Sequence, residues 1–119
     1  MQRNKKLSGV SKPMSLVEEI FGQQGFQRKG SQEEPVFRMN MHDTSTSQTY
    51  ALEIPFREER NGSGRFARFG EPYVAVSSSS TIRNGGTDDF VPRSISWAAE
   101  SKVAEVADYL DTSYRAGYL

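Results

Sequence analysis

The sequence predicts an α+β fold: a single two-layer domain with an antiparallel sheet of about four to six strands. A short N-terminal helix and a longer C-terminal helix pack on one face of it. Two observations carry the prediction. Apolar residues recur at three- and four-residue steps near both ends of the chain, and at steps of two through the middle. A chain of 119 residues with 35% hydrophobic content supports one modest core.

The first residues, MQRNKKLSGVSK, are basic and lack periodicity, so residues 1–12 read as a flexible arm and 13–119 as the domain. Lys12, Pro13 and the Glu18-Glu19 pair interrupt any apolar core of a secretory signal. Ser15-Leu16-Val17-Glu18 has the form of a capping box, placing the first helix N-terminus at Ser15. Leu16, Val17, Ile20 and Phe21 share one face, and Gly22 and Gly25 supply stop signals.

In PVFRMNMHD, Phe37, Met39 and Met41 share one face, while Val36, Arg38, Asn40 and His42 share the other. In TYALEIPFREE, Tyr50, Leu52, Ile54 and Phe56 alternate with Ala51, Glu53, Pro55 and Arg57. Two half-buried antiparallel strands follow, joined by the polar loop DTSTSQ. Pro55 points to an edge position or a bulge. Asn61-Gly62 marks a turn before RFARF and PYVAV. From about Ser94, Ile95, Ala99, Val103, Val106 and Leu110 define the second helix, with Gly117 as its terminator.

The charge balance, 15 basic against 15 acidic residues, gives no overall field to recruit nucleic acid or an anionic membrane. Arg57, Arg60, Arg65 and Arg68 with Phe66 and Phe69 would make a nucleic-acid surface only if they shared one side. The interleaved Glu53, Glu58, Glu59 and Glu71 favour local cross-strand neutralisation instead. No segment approaches the roughly 20 apolar residues of a membrane span. The absence of cysteine excludes thiolate chemistry and disulfides, and fits a cytoplasmic protein.

His42, the one histidine, sits on the polar side of a strand end without partners that would make it a base or a ligand. The adjacent acids Glu33-Glu34, Glu58-Glu59 and Asp88-Asp89 read as solvated turns rather than converging acid–base pairs. No metal or cofactor is expected. In VAVSSSSTIRNGG the apolar alternation fades into serines, and Asp88 and Asp89 beyond Gly85-Gly86 would repel an anion. The serines therefore read as a strand end followed by a turn.

The order PMSLVEEIFGQQGFQRKG, EEPVFRMNMHD, TYALEIPF, ARFGEPYVAV and DDFVPRSI resembles the YugN-like family of small bacterial proteins, found mainly in Bacillus relatives, over roughly residues 8 to 112. The resemblance implies a cytosolic α+β domain with no assigned catalytic site. In that family the segment after the Gly-x-Pro-Tyr phrase is commonly rich in histidine and tyrosine. Here Gly70-Glu71-Pro72-Tyr73 precedes serines, so no site residue carries over.

The function expected from these readings is a cytoplasmic interaction domain, not an enzyme. It would bind an unknown protein partner or a second copy of itself as a homodimer, through a surface that includes Ser77, Ser78, Ser79, Ser80, Arg83 and Asn84. The alternative is a small-ligand carrier or enzyme with a pocket between sheet and helix, lined by Arg38, Tyr50, Trp97 and Tyr109.

Overall fold

A computed structural model describes residues 7–62, 64–76 and 91–115, the last four as helix backbone alone. The elements run β1 (Ser11–Pro13), α1 (Met14–Gln23), β2 (Gln27–Gly30), β3 (Pro35–Asp43), β4 (Gln48–Asn61), β5 (Gly64–Phe69), β6 (Tyr73–Val76) and α2 (Arg93–Arg115). Six antiparallel strands form one sheet in the order β1-β5-β4-β3-β2, with β6 paired to β4.

β4 organises the sheet because its 14 residues serve three neighbours. Its first half pairs with β3 on one side and with β6 on the other, and its second half pairs with β5. The handover from β5 to β6 occurs opposite Pro55: Phe69 pairs with Phe56 and Tyr73 with Glu53. Three residues thus face two, which is a bulge. The Gly70 amide donates to the Pro55 carbonyl at 2.8 Å. A strand residue's N–H and C=O point to the same side, so the donor that proline lacks falls at this break and costs the β3 ladder nothing. Of the two positions expected for Pro55, the bulge is correct and the edge is not.

Alternation sorts the side chains as the sequence predicts. Phe37, Tyr50, Leu52, Ile54 and Phe56 are buried beneath the helices, with Met39 and Met41 packed against them. α1 contributes Leu16, Val17, Ile20 and Phe21, and α2 contributes Ile95, Ala99, Val103, Val106 and Leu110. Phe21 anchors the layer contact, with ring centroids 4.4 Å from Phe37 and 5.5 Å from Phe69.

Two N-terminal expectations are corrected. α1 starts at Met14 directly after β1, with Pro13 as N-cap and no side-chain cap, so Ser15 lies inside the first turn and forms no capping box. The proposed arm 1–12 is part of the domain from residue 7 onward. Leu7 is fully buried, and Gly9 and Val10 exchange backbone hydrogen bonds with Phe69 at 2.8 and 2.9 Å. An isolated leucine in a basic stretch carries no periodic signal, which is why the sequence hid it.

The α1 C-terminus behaves as expected. Phe26 N–H reaches the Phe21 carbonyl at 2.9 Å and Gly25 N–H reaches Gly22 at 3.2 Å, with Gly25 at φ +91°. This is a Schellman stop, and the Phe21 and Phe26 rings close it at 5.0 Å.

Candidate functional site

With both helices on one face of the sheet, the opposite face is left to the alternating residues Val36, Arg38 and Asn40 of β3, Ala51, Glu53, Pro55 and Arg57 of β4, and Tyr73 of β6. A cleft of about 650 Å³ opens here. Val36, Pro35, Pro55 and Gly70 form its apolar part, and Arg38, Glu53, Arg57, Arg68 and Tyr73 bring polar groups to it. Glu33 and Glu34, from the β2–β3 loop, also line it.

Register assembles the polar centre. Arg38 and Tyr73 are the cross-strand partners of Glu53 on its two sides, so three strands deliver one cluster. Arg38 Nε and Nη2 donate to Glu53 Oε2 at 2.8 and 2.6 Å, and Tyr73 Oη donates to Oε1 at 2.6 Å. Glu53 is 9% exposed, and a carboxylate at that depth requires this full set of donors. Partial burial, followed by the hydrogen bond to Glu53, pushes the Tyr73 phenol up to about 12. Tyr73 therefore stays a neutral donor at physiological pH.

The four arginines weighed above split between the faces. Arg65 lies with Glu58 on the helix side, its Nε donating at 2.6 Å, and this bond holds the Glu58 carboxyl below its ordinary range. Arg68 lies on the open face, where Nε donates to both oxygens of Glu59 at 3.1 and 3.0 Å and Nη1 donates to the Gly9 carbonyl at 2.9 Å. Local neutralisation thus accounts for two of them. Arg57 stands directly opposite Arg68.

The pocket expected from Arg38, Tyr50, Trp97 and Tyr109 is not assembled. Tyr50 is 4% exposed in the core, whereas Arg38 alternates to the other face of the sheet. Trp97 and Tyr109 lie off the buried stripe of α2 and are 71% and 45% exposed. Helical periodicity turns them to solvent, so the four line no common space. Ser77, Ser78, Ser79, Ser80, Arg83 and Asn84 fall outside the described residues, as does Gly117.

His42 is exposed at the end of β3, its Nδ1 3.2 Å from Thr49 Oγ1. Among the described residues no group of three His, Cys, Asp or Glu side chains could hold a metal ion, and no helix is long and apolar enough to cross a membrane.

Sequence reasoning weighed Arg38 for the wrong side of the sheet and missed Glu53 and Tyr73 as its partners. The available signal was the alternation itself: a glutamate between Leu52 and Ile54 in a central strand demands buried donors from the strands beside it.

The layering, strand order and helix placement define a YugN-like α+β fold. The particular likeness is to the crystal structure of the uncharacterized conserved protein YugN from Geobacillus kaustophilus HTA426. It spans 97% of this chain and 99% of that one, with a TM-score of 0.73 and 15% sequence identity. At that identity the likeness shows the fold alone. No family model matches the chain, and no curated protein matches its sequence.

Proposed function

We propose that this protein is a cytoplasmic, non-catalytic binding domain that takes a small molecule on the helix-free face of its sheet. The observation that carries the reading is the cleft at Arg38, Glu53 and Tyr73, whose volume of about 650 Å³ is that of a small-molecule site. Its polar groups are held in place before any ligand arrives, which lowers the ordering cost of binding.

The same geometry argues against chemistry there. Both oxygens of Glu53 already accept hydrogen bonds, and Tyr73 keeps its proton. Neither offers a free base or nucleophile at neutral pH. Strand addition by a protein partner is disfavoured at the β2 edge, where four exposed residues include Arg28 and Lys29, charges that discourage pairing.

Native mass spectrometry of the full chain purified from the cells that express it tests the reading. We expect an added small-molecule mass that is lost on denaturation, is retained by Trp97→Ala and disappears in Tyr73→Ala, which removes a wall of the cleft and uncovers the Glu53 carboxylate. No added mass, or one that survives Tyr73→Ala, would contradict it.

A further inference from the structure

We propose that the ligand of this cleft is a small monocarboxylate with an apolar body, its carboxylate held by Arg57 and the apolar part lying over Pro55 and Val36. The inference rests on the binding reading above and adds the charge and apolar character of the occupant.

The charge follows from the ion pairs. Three arginines line the cleft. Arg38 is neutralised by Glu53, and Arg68 by Glu59. Among the described residues no hydrogen bond or ion pair engages Arg57, which is exposed and directly opposite Arg68. Like charges facing each other across an antiparallel pair repel, and the Glu59 carboxylate relieves this on the Arg68 side alone. Among the described residues Arg57 therefore supplies one guanidinium fork without an ion-pair partner inside a cleft, and that fork matches a carboxylate in two parallel hydrogen bonds.

The count also limits the anion. Glu33 and Glu34 line the same cleft and set three glutamates against its three arginines, so only the local fork of Arg57 attracts an anion and a dianion such as a phosphate monoester is repelled. The apolar body follows from Val36, Pro35, Pro55 and Gly70, which bring apolar surface to the cleft with Tyr73 beside it.

Calorimetric titration of the full chain with benzoate, benzamide and benzylammonium tests the inference. We expect benzoate to bind with a Kd on the order of 1 mM, as suits so small a probe. Benzamide and benzylammonium should bind at least about tenfold more weakly, by the loss of one charge-assisted pair. Arg57→Gln, with its fold checked by urea unfolding, should lose benzoate binding, and Arg57→Lys should recover part of it. Benzamide or benzylammonium binding as well as benzoate, or unchanged benzoate binding by Arg57→Gln, would overturn the carboxylate assignment and leave the cleft as a binding site. Failure of all three probes to bind would overturn this inference, while the binding reading stands or falls by the native mass spectrum.

Discussion

Glu53 is tolerated at 9% exposure because Arg38 and Tyr73 saturate its two oxygens. Removing the Tyr73 hydroxyl leaves one oxygen short of a donor. Because Tyr73 is 43% exposed and water reaches it, Tyr73→Phe should cost only about 1 kcal/mol in urea unfolding. The pH dependence has a definite sign. Folding raises the phenol from its ordinary 10.0 to about 12, so its contribution is complete below 10.0 and is lost as pH rises from there through 12. Unfolding free energies measured across that alkaline window should fall in the wild type more steeply than in Tyr73→Phe; equal slopes would refute the assignment. Asp43 behaves in the opposite sense. The Thr46 hydroxyl, at 2.6 Å, is the main cause holding its carboxyl below 3.8, with Ser45 and the Thr46 amide adding to it. That contribution is present above 3.8 and is lost as pH falls through the lowered value. Thr46→Val should therefore be less stable than the wild type near neutrality, with the difference shrinking in acid.

At the scale of elements, two glycines with positive φ make different demands. Gly25, at φ +91°, faces open space, so Gly25→Ala should cost only the backbone strain, about 1–2 kcal/mol. Gly30, at φ +88°, would drive a Cβ into the Glu34 carbonyl oxygen, a backbone atom that cannot swing aside. Gly30→Ala should therefore exceed that cost, at about 3 kcal/mol or more, and loosen the β2–β3 turn that carries Glu33 and Glu34. In α2 the contrast lies between faces: Leu110→Ala should cost about 2–5 kcal/mol, and Trp97→Ala no more than about 0.5 kcal/mol. Urea unfolding of all four variants checks the ranking. The α2 stripe was legible in the sequence because three- and four-residue spacing marks a buried helix face without reference to any other element. The start of α1 was not, since a strand running straight into a helix at Pro13 overrode the local capping signal at Ser15.

At the scale of the molecule, the placement of both helices on one face decides where a ligand can go. The helix side is filled by phenylalanine rings from α1, β3, β4 and β5, and the other side keeps its polar and small residues around the cleft. The two-layer fold could be read from periodicity, but the cleft could not. Arg38, Glu53, Arg57 and Tyr73 lie on three strands, and only cross-strand register and the bulge at Pro55 bring them to one place. Nor did the balanced formal charge reveal Arg57, which lacks an ion pair among the described residues because Glu53, Glu58 and Glu59 are taken by other arginines. The most direct test is an amide chemical-shift map of the 15N-labelled protein titrated with benzoate. Shifts gathered at Val36, Arg38, Glu53, Arg57, Gly70 and Tyr73, with α2 unmoved, are the predicted result. Shifts centred on Leu52, Ile54 and the Val103–Leu110 stripe would place the ligand between helix and sheet and contradict the account.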